Sequence, residues 1–217
     1  ASLAGKCIRY LGFKKLGVIG KITARAYMIF NLGDIIELIV KDDIMKAVKN
    51  APGIEVRAEN EKISIDLGDG VVLSGEVDGM IYLSDVDKYG ILEIKSASNY
   101  AFDEALEGKI DENYIIQAGL YAYALDVDFV LFLFYRKETS HILEVVFRRD
   151  VESEGVVRYM AHPERSYFTV NFPFDFSFVP VVKEKFLKLR EMNSIEDVLG
   201  ILIPYDFVSC KNCGGSG

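Results

Sequence analysis

The 217-residue chain is half apolar and 27% charged, the composition of a folded globular protein and not of a disordered or collagen-like one. A single core remains efficient up to about 250 residues, so one domain is expected, and no run approaches the roughly 18 consecutive apolar residues that a membrane crossing needs. The net charge of −8 opposes indiscriminate binding to a polyanion, and lysines interrupt the N-terminal apolar segments where a signal peptide needs a continuous core, so the expected location is cytoplasmic.

Charge is unevenly distributed. From Ala1 to Gly33 there is no acidic residue, while Lys6, Arg9, Lys14, Lys15, Lys21 and Arg25 are basic. The segment reads either as a solvated basic face or as a nucleic-acid-binding edge. From Asp34 to Lys49, Ile36, Val40, Ile44 and Val48 recur at helical spacing, with Pro52-Gly53 closing the run and Glu37 one turn before Lys41. Ile54 to Leu83 alternates as strands do, and Gly68-Asp69-Gly70 is the tight turn of a hairpin. After a polar turn from Ser84 to Gly90, Ile91 to Ala97 reads as another strand.

Asn99 to Leu106 and Asp111 to Leu125 read as helices, the second opened by Asp111 as its cap. Asp128 to Arg136 is almost wholly apolar, as a buried central strand should be, and the alternating segment His141 to Phe147 is its expected neighbour. Further on, Phe172 to Phe178 reads as an aromatic-rich connection, Val181 to Met192 as an amphipathic helix and Ile195 to Leu202 as a shorter one. This order predicts an α/β fold with a central mixed β-sheet flanked by helices.

Side chains two apart on a strand share a face, so Glu76 pairs in direction with Asp78, and Glu93 with Lys95. If the two strands pair, the carboxylates of Asp78 and Glu93 and an exposed carbonyl of Ile94 form an oxygen-rich pocket suited to Mg2+ or Mn2+. Lys95 then sits beside a metal-bound phosphate, and Glu37 completes the metal shell if its helix crosses the sheet. Glu-x-Lys is also common on solvated strands, and Asp before Gly is common in turns. Leu92 and Ile94 flank Glu93, however, so the ionisable face alternates with an apolar one. Gln117 and Tyr121 lie one turn apart on one helix face; taken alone, they read as a core tyrosine beside an exposed glutamine.

In series, Gly75-Glu76-Val77-Asp78-Gly79, Glu93-Ile94-Lys95 and Gln117-Ala118-Gly119-Leu120-Tyr121 resemble the PD-(D/E)XK nuclease superfamily, in its RecB-like branch of CRISPR-associated exonucleases and related phage nucleases. The resemblance spans roughly Ala1 to Arg136. It implies a restriction-endonuclease-like core forming one nuclease domain over residues 1–217, and hydrolysis of DNA phosphodiester bonds. It also implies Asp78 and Glu93 as metal ligands, Lys95 as the catalytic lysine, and Gln117 and Tyr121 as residues that seat DNA. Glu37 stands where many relatives have a first-helix histidine.

The expected activity is that of an exonuclease or end-processing nuclease working with recombination, replication or CRISPR adaptation proteins. A structure-selective endonuclease and a catalytically silent DNA-binding scaffold are the alternatives. Lys14, Lys15 and Lys21 are candidate phosphate contacts. The branch often holds an iron-sulfur cluster, which by resemblance assigns Cys7, Cys210 and Cys213 to a subdomain joining the chain ends. Three thiols are one fewer than a [4Fe-4S] cluster takes, so it is incomplete in this chain. Zinc completed by His141 or His162, and cysteines that hold no metal, are the competing readings.

Overall fold

The computed structural model describes the backbone of residues 1–18, 20, 23–148, 155–162, 165–173 and 176–201, and all of their side chains except those of residues 37, 155–162 and 165–173. In chain order, the elements are α1 (Ile8–Lys15), α2 (Ala24–Lys49), β1 (Ile54–Asp66), β2 (Val72–Leu83), β3 (Lys88–Ala97), α3 (Asn99–Leu106) and α4 (Glu112–Leu125). Then follow β4 (Phe129–Arg136), β5 (Ile142–Arg148), β6 (Gly155–His162), β7 (Arg165–Pro173), α5 (Phe178–Glu191) and α6 (Ile195–Leu199).

The strands form one mixed sheet in the order β1-β2-β3-β4-β5-β7-β6. Strands β1, β2 and β3 form an antiparallel meander, β3 and β4 are parallel across the α3–α4 connection, and β5 returns antiparallel to β4. The expected mixed sheet flanked by helices is therefore present. Its central parallel pair is buried on both faces, which is why β4 reads as a continuous apolar run.

Alternation divides the core in two. Ile91 and Ala97 of β3 join Phe102 of α3, Leu120 of α4 and Val182 of α5 in the larger cluster. On the other face, Leu92 and Ile94 pack with Ile44 and Met45 of α2. Glu93 and Lys95 thus emerge on the side of α3 and α4, while Ile94 lies beneath α2.

Several boundaries follow from local chemistry. The Ser98 hydroxyl accepts from the Ala101 N–H at 3.3 Å to open α3, and the Asp111 carboxylate accepts from the Asn113 N–H at 2.8 Å to open α4. The β1–β2 turn holds Gly68, Asp69 and Gly70 at positive φ, a conformation glycine adopts without a Cβ penalty.

Helix α2 begins at Ala24, ten residues before the expected start at Asp34. Thr23 caps it by accepting from the Ala26 N–H at 3.2 Å, and Gly33 lies in the helix interior at a cost of about 1 kcal/mol. Sequence reading also missed α1, β6 and β7; Phe172 and Pro173 close β7 instead of lying in a connection.

The N-terminal segment docks on the C-terminal helices. Lys15 Nζ donates to the carbonyls of Leu189, Arg190 and Met192 at 3.0, 2.9 and 2.7 Å, covering the end of α5. Arg9 Nη2 donates to the Ile201 carbonyl at 2.9 Å, and Lys185 Nζ to that of Lys6 at 3.1 Å.

Candidate active site

The site forms where β2 parts from β3. Their pairing runs from Leu83↔Lys88 to Gly79↔Leu92, whereas β2 continues along β1 through Val77↔Glu61 and Glu76↔Lys62. Asp78 sits at this fork. Its Oδ2 accepts from the Ile94 N–H at 2.8 Å, and its Oδ1 accepts from Lys41 Nζ at 2.7 Å. A side chain thus takes the place of the missing ladder bond.

Lys41 reaches the fork from α2 and also donates to Asn60 Oδ1. Asn60 lies in β1 between Glu59↔Gly79 and Glu61↔Val77, hence opposite Asp78, and has a φ of 52°. Asparagine tolerates this left-handed conformation better than most residues. Sequence reading had not singled out Lys41. Its only sequence signal is a basic residue one turn after Glu37 on the helix expected to cross the acidic strands.

Glu93 is 1% exposed. Its Oε2 accepts from Lys95 Nζ at 2.9 Å; its Oε1 is buried and, among the described residues, has no hydrogen-bond partner. Burial pushes the carboxyl up to about 7; Lys95 works against that rise, and the neighbouring Asp78 adds to it. The Lys95 ammonium also lies 5.5 Å from the centre of the Tyr114 ring of α4, within cation–π range.

Tyr121 braces the fork from behind. Its hydroxyl accepts from Gln117 Nε2 at 2.9 Å and from the Glu76 backbone N–H. A Cβ on Gly75 would lie 2.3 Å from the Tyr121 ring, so glycine is what lets β2 lie against it. Tyr121 is 1% exposed, and Gln117 is half-buried against it.

Asp78, Glu93, Ile94 and Lys95 thus meet at the fork, with Gln117 and Tyr121 behind it. Ile94 is fully buried, so its carbonyl is not the solvent-exposed group expected from sequence. Glu37 lies on α2, and its side chain is outside the described residues. Among those residues, no group of three or more His, Cys, Asp or Glu side chains is gathered to hold a metal; the acids here are a pair.

Lys14 is exposed at the end of α1, and Lys21 lies outside the described residues. Lys15 is exposed and donates to carbonyls at the end of α5. Cys7 caps α1, its Sγ accepting from the Tyr10 N–H at 3.4 Å, while Cys210 and Cys213 lie outside the described residues.

The Lys41 contact has a measurable consequence. Lys41→Met strips a partly buried carboxylate of a charged donor, and the metal-free protein is expected to lose about 2 kcal/mol. The same change frees Asp78 Oδ1 for a cation, so Mn2+ should bind more tightly. Thermal melts and Mn2+ titration check both; unchanged stability together with unchanged affinity would contradict the contact.

No family model and no curated protein matches the chain. Among solved structures, the chain is similar to that of SSO0001, with 16% identity, 98% of this chain and 80% of that chain covered, and a TM-score of 0.52. It is also similar to an alkaline exonuclease, LHK-Exo, from Laribacter hongkongensis, with 12% identity, 88% and 83% coverage, and a TM-score of 0.51. At these identities the likeness is one of fold.

Proposed function

We propose that this chain is a metal-dependent nuclease that hydrolyses phosphodiester bonds in DNA, working as an exonuclease or end-processing enzyme. The observation that carries the reading is the buried Glu93 carboxylate, one oxygen bound to Lys95 and the other without a described partner, beside Asp78 at a strand fork. The fold shared with an alkaline exonuclease and the serial sequence motifs support it.

The donor set fits a hard divalent cation: an orphaned buried carboxylate oxygen is what such an ion satisfies, and carboxylate and carbonyl oxygens are its preferred ligands. Asp78 and Glu93 would hold Mg2+ or Mn2+. When bound, the ion would supply Lewis acidity to a phosphoryl oxygen and lower the pKa of a water.

The chain's own residues would do the rest. Hydrolysis joins a water oxygen to phosphorus, breaks one phosphorus–oxygen bond, and returns a proton to the departing oxygen. Lys95, held by Glu93, would place a positive charge beside the phosphate as negative charge builds. Lys41 would offset the negative charge of Asp78 until a cation arrives. Tyr121 and Gln117 would keep β2 against α4, so that Asp78 stays at the fork.

Lys95→Ala is expected to lower single-turnover cleavage by about 10²-fold while Mn2+ still binds. Lost metal affinity with preserved turnover would contradict that role. The reading itself is tested by incubating end-labelled linear single-stranded, linear double-stranded and closed circular DNA with Mg2+ or Mn2+, with EDTA as control. Metal-dependent shortening of linear DNA is expected, with circles spared. No cleavage of any substrate at saturating metal would refute the nuclease activity, and equal cleavage of circles would replace end processing with endonuclease action.

A further inference from the structure

Helix α2 exposes apolar side chains on several faces, Tyr27, Ile29, Phe30 and Leu38 among them, and its outer face carries an apolar seam with no partner among the described residues. Helices on a protein surface normally turn polar groups outward. Here Met28, Leu32, Ile35 and Ile39 are 70, 58, 55 and 58% exposed. Their spacing of four, three and four residues is the alternation by which two helices interlock. At about 100° per residue these side chains lie opposite Ile44 and Val48, which face the sheet. The seam is thus not part of the protomer's own core, and a patch of this kind marks an interaction surface.

The ends of the seam identify its occupant. Continuing the same alternation places Arg25 at one end and Asp42 at the other, both exposed. When a second α2 is laid antiparallel, Leu32 faces the partner's Ile35, Met28 the partner's Ile39, and Arg25 the partner's Asp42. All three pairings centre on one point between Gly33 and Asp34, as a two-fold axis requires. A parallel arrangement would instead set Arg25 against Arg25 and Asp42 against Asp42.

We propose that a second copy of this chain covers the seam, forming a two-fold dimer through antiparallel α2 helices locked by Arg25–Asp42 pairs at both ends. Asp42 now lies beside Lys46 on its own helix, an exposed contact that can be shared or exchanged at little cost. Lys41 neighbours Asp42 on α2, so the helix that forms the seam is also the one that reaches Asp78 at the fork.

The experiment is sedimentation equilibrium of the full chain with four variants, which reads mass and not cleavage and so stands or falls apart from the nuclease reading. Wild type is expected at twice the 24.4 kDa chain mass. Ile35→Asp should be monomeric, weakened at least about 100-fold by burying a charge in an apolar seam, with an unaltered circular dichroism spectrum because Ile35 is solvent-facing in the protomer. Arg25→Glu and Asp42→Arg should each weaken the dimer roughly 10-fold, since each sets like charges together at both ends. The double variant Arg25→Glu/Asp42→Arg should restore it. A monomeric wild type, including one that floats with lipid vesicles instead of self-associating, would overturn the proposal. So would a dimer indifferent to Ile35→Asp, or a double variant no tighter than either single one.

Discussion

Asp78→Ala and Glu93→Ala are each expected to abolish metal-dependent cleavage in a protein that remains folded, a loss of at least about 10³-fold, or roughly 4 kcal/mol of transition-state stabilisation. The two substitutions fail for different reasons. Asp78 holds the fork together: its removal leaves the Ile94 N–H and the Lys41 ammonium without a shared acceptor, and takes away one oxygen donor. Glu93 supplies the buried oxygen that a cation would satisfy and fixes Lys95 at 2.9 Å, so its loss removes a ligand and frees the lysine together. Neither residue belongs to the apolar clusters, which is why the fold should survive. Cleavage is measured on end-labelled DNA at saturating Mg2+ or Mn2+, with circular dichroism as the folding control. Near-wild-type cleavage by either folded variant would remove that residue from the catalytic centre.

Much of the fork is legible in sequence because strands encode direction in alternation. Leu92 and Ile94 had to face one side, so Glu93 and Lys95 had to face the other, and an adjoining apolar strand containing Asp78 made a meeting of the acids plausible. What alternation cannot encode is where a ladder ends. The fork depends on β2 keeping its pairing with β1 after leaving β3 at Gly79, a choice made by tertiary packing and marked in sequence only by Asn60 and Gly79.

Lys41 was hidden for the same reason. It is 37 residues from Asp78, and its place one turn after Glu37 does not by itself set it apart from the solvent-exposed Lys46 or Lys49 on the same helix. Tyr121 shows the opposite limit: its spacing from Gln117 marked a motif, but burial against Gly75 is a property of the assembled sheet. Lys15 was grouped with other basic residues by composition, while its position at the end of α5 depends on packing between distant parts of the chain. Charge is visible in sequence, and the carbonyls that claim it are not.

Glu93→Gln is expected to raise the stability of the metal-free protein at pH 8 while eliminating cleavage. The carboxyl titrates near 4.5 when unperturbed and near 7 in the fold, with burial as the main cause. The folded state therefore binds a proton between these values that the unfolded chain has already released. Stability contributed by the neutral carboxyl is complete below about pH 4.5, declines as pH rises, and is gone above about pH 7. Across that window the loss is about 3 kcal/mol, at 1.36 kcal/mol per unit. Glutamine mimics the neutral form at every pH. The variant should match the parent near pH 4.5 and melt higher at pH 8, by roughly 6–12 °C for a chain of this size. A divalent cation should close the gap from the other side, because it stabilises the ionised carboxylate of the parent in proportion to RT ln(1 + [M]/Kd) and has little to bind in the variant. Thermal melts of both proteins at the two pH values, with EDTA and then with Mn2+, provide the test. Equal melting temperatures at pH 8 in EDTA would mean that Glu93 ionises in the fold without penalty, and the buried, partnerless oxygen would no longer be a reason to place a cation there.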